Sequence, residues 1–583
     1  MESIFRISAG LFDILKRISK IIISLLLLFA LVACDSQVPT ETSSTSPTTS
    51  PSSSSEPVAE RNGMVAVLYT SDVHCAFENG IGYAGVQAIR DSFEDQGYTT
   101  ILVDNGDAMQ GTPYGTISEG EIAINLMNDL RYDVATIGNH EFDYGMVRLF
   151  ELIDKADFPY CCCNFTESGE LALPPYVIVE REGIKIAFVG ISTPWTITAA
   201  SRPCFMDTTG EFIYGLCEDE TGDSLYEAVQ NAVDSARADG ADYVIALSHL
   251  GNQESDGPWR YSEVVRHTNG IDLVLDGHSH DLNTETATNK DGVEIVRLTC
   301  GKDLEAIGYS IISPIRIIES DIIKWNNKIS MPSALGIDND MVSRIHEEEA
   351  VYDDQLNEVI GHTDYQLCLH DPEYYSSFGN PPRLIRKSDT NLGDLITDSI
   401  LYQSGADVAI MTANNVSIDF EQGDITMLDL MRQFQYDNNL CVIEVSGQNI
   451  LEALEYGTVR LPQEAGYLLQ VAGMSYEVDT SVPSGVVTDS KGEFSNYEGE
   501  HRVKNVLIGG EPLDLNRNYR LAGSEFLVHY YGYGFNMFRG AAMISADYSS
   551  ECQAFKNYIQ SLPDQTLGDE YSNPRGQGRI VVR

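Results

Sequence analysis

Five stretches of the chain share one design: "MVAVLYTSDVH", "TTILVDNGD", "DVATIGNH", "DYVIALSHLG" and "IDLVLDGHSH". Each is a short run rich in Val, Ile and Leu, followed at once by Asp, Asn or His and usually Gly. Apolarity that is continuous rather than alternating marks strands buried on both faces. The helix-length segments between them, "GYAGVQAIRDSFEDQG" and "SLYEAVQNAVDSARADG", suit crossover connections. A layered α/β domain follows.

In such sheets ligands sit outside the carboxyl ends of the strands. The polar residues that close the five runs, Asp72, His74, Asp107, Asn139, His140, His249, His278 and His280, are therefore expected to meet in space. Five of the 11 histidines fall in these turns, which argues against chance placement. A mixed Asp, Asn and His set suits a borderline divalent ion such as Mn, Zn, Fe or Co rather than Ca or a thiolate zinc site. Singly the motifs say less: "SDVH" alone reads as a capped strand end, and "DGHSH" alone as an exposed loop pair. Their order carries the inference.

At 583 residues the chain holds two or three domains. Its first 34 residues read as a targeting segment: Lys16, Arg17 and Lys20 precede "IIISLLLLFALVA", and Cys34 follows. "LVAC" resembles a bacterial lipobox, which implies removal of residues 1–33 and a lipid on Cys34. An uncleaved membrane anchor is the alternative, for which the run is short. Either route puts the rest outside the cytoplasm, the first lipid-anchored to the bacterial cell membrane. Residues 34–62 are Ser-, Thr- and Pro-rich and cannot bury a core, so they form a tether. Asp and Glu number 87 against 37 Lys and Arg, a formal net charge of −50, which speaks against a nucleic acid polymer as partner.

The order D-x-H, D-x-G-D, G-N-H-E-F-D-x-G, H-L-G, G-H-S-H resembles the calcineurin-like metallophosphoesterases, and "GNHEFDYG" points to their 5′-nucleotidase branch. "TNLGDLITDSILYQSGADVAIM" and "GDITMLDLMRQFQYDNNL" resemble that branch's second domain. The resemblance implies a four-layer αββα domain over 63–336, a linker helix over 337–362 and a second α/β domain over 363–583 that grips the substrate. The linker segment carries Met341, Ile345, Tyr352, Leu356 and Val359 at near-helical spacing.

The resemblance further implies two divalent metal ions. One would be held by Asp72, His74, Asp107 and His280, the other by Asp107, Asn139, His249 and His278, with Asp107 bridging. His140, oriented by Asp143, would stabilise the transition state or protonate the leaving group, and Glu141 would be structural. Arg386, Asn414, Asn415, Tyr436 and Phe526 would bind the substrate, the two aromatics around a base, although either ring could equally serve the core. Three positions depart from the family pattern. Thr412 and Ser417 stand where relatives carry an Asn and a phosphate-binding Arg, and Tyr533 where an Asp commonly meets the ribose. The expected function is hydrolysis of phosphate from nucleotides outside the cell. The alternatives are a phosphodiesterase acting on 2′,3′-cyclic nucleotides or nucleotide sugars, and a catalytically silent surface binding protein.

Overall fold

Successive residues of the strand Val65–Thr70 enter different cores, as a strand buried on both faces requires. Val67 and Tyr69 join Ile101, Val103, Phe188, Ile245 and Leu275 in an inner cluster. Leu68 turns the other way, toward Leu102, Ile124 and Leu126. The inner cluster lies between two sheets. One runs in the order Ile317–Lys324, Ala306–Ile312, Val65–Thr70, Thr99–Asp104, Val134–Ala135, its last three strands parallel. The other runs Thr284–Thr288, Glu294–Thr299, Leu273–Asp276, Tyr243–His249, Ile184–Ser192, Tyr176–Arg181, its four central strands parallel. Helices Gly82–Asp95 and Glu121–Asp129 cover the first sheet, and Asp223–Ala238 and Tyr261–His267 cover the second. The result is the four-layer αββα arrangement.

This computed structural model describes residues 63–583 except 200–201, 208–209, 325–338, 375–380, 436, 490–491 and 547–548. The leader, Cys34, the tether and Tyr436 lie outside the described residues.

Register aligns the strand ends. Thr70 pairs with Asp104, Asp104 with Ala135, and Ser248 with Asp276, so the turns after these strands open along one edge of the sandwich.

The single linker helix expected over 337–362 is instead two helices and a strand. Asp340–Glu349 packs Met341 and Ile345 into the first domain's outer core and is tied there by Arg344 to Asp129 at 2.9 Å and by Asn125 to Glu348 at 2.7 Å. After a turn comes the short helix Asp353–Leu356. Val359–Thr363 is then a strand, antiparallel to Gly423–Thr426, with Ile360 fully buried. Near-helical spacing of apolar residues did not foresee this because β-branched Val359 finds a sheet partner in Thr426 and β-branched Ile360 enters the core, and pairing overrides a weak helical pattern.

The remaining chain builds a sheet ordered Leu469–Ala472, Val408–Thr412, Asn518–Ser524, Leu440–Ser446, Ala542–Ser545, with helices Asn391–Ser404 and Glu551–Ser561 packed on one another. It has its own core around Leu395, Ile410, Val442 and Phe555.

Candidate active site

The turns along the open edge bring together every strand-end residue singled out in the sequence. Five of them, Asp72, His74, Asp107, His278 and His280, have φ between 50° and 71°. Non-glycine residues rarely adopt this left-handed conformation, which costs on the order of 1–3 kcal/mol each and collects at functional sites. The turns also approach one another closely. A methyl group on Gly138 would collide with the Asp107 carboxylate, which is why "GNHE" needs its glycine.

The ligand atoms of Asp72, His74 and His280 lie within 4.8 Å of one another, as do those of Asp72, Asp107 and His249. His278 Nδ1 is 2.8 Å from Asn139 Oδ1, which joins the last two predicted ligands to the group. Asp107 stands in the middle. Its Oδ2 is 3.0 Å from His249 Nε2, and its Oδ1 accepts a hydrogen bond from the His140 backbone N–H at 2.8 Å.

The donor chemistry fits cations. His249 Nδ1 lies 2.8 Å from the Asn105 carbonyl oxygen, where it can only donate, so Nε2 of the neutral ring carries a lone pair. That lone pair is buried beside the carboxylates of Asp107 and Asp72 without a well-aligned hydrogen bond. His74 is oriented alike: its Nδ1 is 3.1 Å from the Gln110 carbonyl, to which it can only donate, and its Nε2 turns toward His280 Nε2 at 3.3 Å. A lone pair turned on carboxylates, as at His249, is repelled unless a positive charge lies between them. With protons as the only cations, burial lowers and Asp107 raises the His249 pKa, for a net rise to about 10. His278, buried and near His249, is pushed down to about 4.

His140 stands apart from the ligands in chemistry. Its Nδ1 is 2.7 Å from Asp143 Oδ2 and its ring centroid 5.4 Å from that of His74. Burial opposes its charge, but Asp107 and Asp143 outweigh burial and raise its pKa to about 9. Glu141 is fully engaged below the turns, accepting from the backbone N–H groups of Gly138, Asp107, Ala108 and Met109 at 2.6 to 3.3 Å. It is a clamp and not a ligand, in keeping with the structural role expected of it. Asp104 escaped the sequence reading. Burial raises its pKa to about 8, and it accepts hydrogen bonds from Thr70 Oγ1 and the Gly106 N–H, which fixes the start of the "DNGD" turn.

Comparison with known proteins agrees with this geometry. The calcineurin-like phosphoesterase family model matches residues 65–282, and the 5′-nucleotidase C-terminal domain model matches residues 359–540. The chain belongs to the 5′-nucleotidase family of metallophosphoesterases. It is a metal-dependent phosphoric ester hydrolase. The 5′-nucleotidase of Vibrio cholerae is 24% identical over 515 residues, covering 80% of this chain and 85% of that protein. The protein UshA of Yersinia enterocolitica is 24% identical over 501 residues, with 79% and 84% covered. In fold, the crystal structure of the 5′-nucleotidase precursor from Thermus thermophilus superposes with a TM-score of 0.60 at 23% identity, covering 89% of this chain and 99% of that one.

In the family's second domain the predicted binding residues gather around one loop, residues 464–467, that the sequence reading passed over. The Ala465 N–H donates to the Arg386 carbonyl and the Asn414 N–H to the Gly466 carbonyl, both at 2.9 Å. Tyr467 stacks on Tyr533, with centroids 5.2 Å apart and planes 26° apart, and Tyr533 meets the edge of Phe526 at 5.1 Å. Arg386, Asn414, Asn415 and Phe526 are thus neighbours. Arg386 Nη1 is 3.9 Å from Glu464, and its buried Nε makes no hydrogen bond. Asn415 Oδ1 accepts from Thr412 Oγ1 at 3.1 Å and from the Tyr533 hydroxyl at 3.2 Å. Two of the three departures from the family pattern therefore contact each other through Asn415. The third, Ser417, donates its backbone N–H to Gln433 Oε1 at 3.2 Å. A hydrogen bond from Gln110 Nε2 to the Gln435 carbonyl, at 3.3 Å, joins this domain to the metal turns.

Proposed function

We propose that this protein is an extracytoplasmic 5′-nucleotidase that removes phosphate from nucleotides, using two divalent ions bridged by Asp107. The observation that carries the reading is the buried lone pair of His249 set against Asp107 and Asp72, within a group of seven side chains of metal-ligand type. Divalent ions held there would neutralise phosphoryl charge and acidify water. The chain's own contribution is distinct. Asp143 accepts from His140 Nδ1, so the second proton of the imidazolium sits on Nε2. The Asp143 carboxylate favours the imidazolium form and so keeps that proton available to a phosphoryl oxygen or the departing alkoxide. The Cys34 lipid and the Ser/Thr/Pro tether would hold the enzyme at the outer face of the membrane.

A diester substrate is the second reading, and Tyr533 favours it. It stands where an Asp commonly meets the ribose hydroxyls, which a 2′,3′-cyclic nucleotide does not present, and its ring is engaged with Tyr467 and Phe526 and its hydroxyl with Asn415. The test is phosphate release by the full-length protein with Mn on AMP, a nucleotide sugar, a 2′,3′-cyclic nucleotide and an aryl phosphate, the diesters coupled to a phosphomonoesterase. Preference for AMP supports the nucleotidase. Activity confined to diesters moves the substrate class while keeping the metal centre. No turnover with metal bound would make the chain a binding protein.

A further inference from the structure

Arg297, on the strand Glu294–Thr299, is fully buried, and no motif marked it. Its guanidinium works in three directions. Nε donates to Asp276 Oδ2 at 2.7 Å. Nη1 donates to Glu285 at 2.6 Å and to Asp281 at 3.3 Å. Nη2 donates to Ser279 Oγ at 3.2 Å. The plane also lies 4.5 Å over the ring of Tyr261.

Each direction ends beside a predicted metal ligand. The other oxygen of Asp276 accepts from Ser248 Oγ at 2.6 Å and from the Leu250 N–H at 3.0 Å, the two residues that flank His249. Ser279, which passes its own hydroxyl hydrogen to Asp281 at 2.7 Å, is the residue between His278 and His280. The Tyr261 N–H donates to the Gly251 carbonyl at 2.9 Å and so fixes the far side of the His249 turn. The partners of Arg297 are thus the neighbours of the ligands and not the ligands themselves.

We propose that Arg297 is a positioning residue that sets His249 in register with His278 and His280 through Asp276 and Ser279. The proposal rests on the metal-centre reading above. His278 and His280 sit in left-handed backbone, which relaxes unless neighbours restrain it, and among the described residues the main-chain restraints on the loop are few: Gly277 N–H to the Ser248 carbonyl at 3.0 Å, which fixes the start of the loop ahead of both histidines, His278 N–H to Asp72 at 3.1 Å, Ser279 N–H to Gly277 and Gly301 N–H to Asp281. A rigid guanidinium fork can hold three partners at fixed angles, which a single ammonium cannot.

The simpler role would be charge neutralisation of buried Asp276, and Arg297→Lys separates the two. Lysine keeps a positive charge opposite Asp276 but loses the fork to Ser279 and the stacking on Tyr261. Ser279→Ala removes only the hydroxyl link and leaves every buried charge paired. Mn affinity of the full-length protein is measured by calorimetric titration for wild type and both variants, alongside the melting temperature of the metal-free forms. The expected result is a loss of Mn affinity of about tenfold or more for Arg297→Lys, and a smaller loss for Ser279→Ala with only a small fall in melting temperature. Wild-type Mn affinity in Ser279→Ala, together with wild-type affinity in Arg297→Lys or its failure to fold, would overturn the proposal and leave Arg297 as a neutraliser. A wild type that binds no divalent ion would instead overturn the metal-centre reading, and this proposal with it.

Discussion

Glu141→Gln tests whether the metal turns are held from below. The carboxylate accepts four backbone N–H groups, Asp107 and Gly138 on one oxygen and Ala108 and Met109 on the other. Glutamine is isosteric and opens no cavity, so packing is unchanged. Its amide keeps one acceptor oxygen but turns an NH2 group toward the other pair of N–H donors. Two buried donors then lack a partner, at about 1–3 kcal/mol each, for a total of about 2–6 kcal/mol. Burial, and then the Asp107 charge, raises the pKa of Glu141, so the anion already carries a cost, and the expected loss falls at the lower end, about 3 kcal/mol. The three tryptophans, Trp195, Trp259 and Trp325, all precede the second domain, so intrinsic fluorescence during denaturant unfolding in a chelator reports the first domain. Mn affinity should fall as well, because the orphaned N–H groups belong to the turns bearing Asp107 and Asn139. A midpoint equivalent to within about 0.5 kcal/mol of wild type, with unchanged Mn binding, would refute the clamp.

Three further outcomes are expected. His140→Ala should lower kcat by about 10²- to 10⁴-fold with two ions still bound, read by steady-state kinetics and metal analysis, and loss of metal would mean that His140 is a ligand. Asp107→Ala should lose both ions together, and retention of two equivalents of Mn would remove the bridging assignment. In the second domain, burial raises the Glu551 carboxyl to about 7 from its ordinary 4.5. The folded pKa exceeds the unfolded one, so the stability it contributes is full below pH 4.5 and is lost as pH rises through 7. Glu551→Gln should melt like wild type near pH 4.5 and be more stable by about 3 kcal/mol at about pH 8, and a difference independent of pH would exclude this titration.

The gathering of the strand-end side chains was legible because a strand end is a local object. The run that makes "IDLVLDGHSH" a buried strand also says where its histidines point, and the pairing of His140 with Asp143 needs only three residues of chain. Arg297 was illegible for the opposite reason. In "EIVRLT" it reads as one polar residue in a strand, and its partners Asp276, Asp281 and Glu285 become meaningful only once two strands and a loop are adjacent. The loop at 464–467 was missed likewise: "PQEAGY" carries no pattern, and Tyr467 gains its role from Tyr533, far along the chain. At the connector, spacing alone could not foresee that Gly361 would pair with Ile425 in a neighbouring strand and leave Ile360 in the core that Ile425 shares.

The left-handed turns have a consequence for how such a protein tolerates change. Five metal-ligand candidates held at positive φ store on the order of 5–15 kcal/mol, comparable with the net stability of a whole domain. That burden is borne by the sandwich core from which the turns emerge. A lesion in the core, such as a trimmed Phe188 or Ile245, need not unfold the protein to silence it, because the strained turns are the first places to relax. Heat or drift in sequence should therefore erase metal binding while the fold still stands, so that activity is a more sensitive gauge of core integrity than melting.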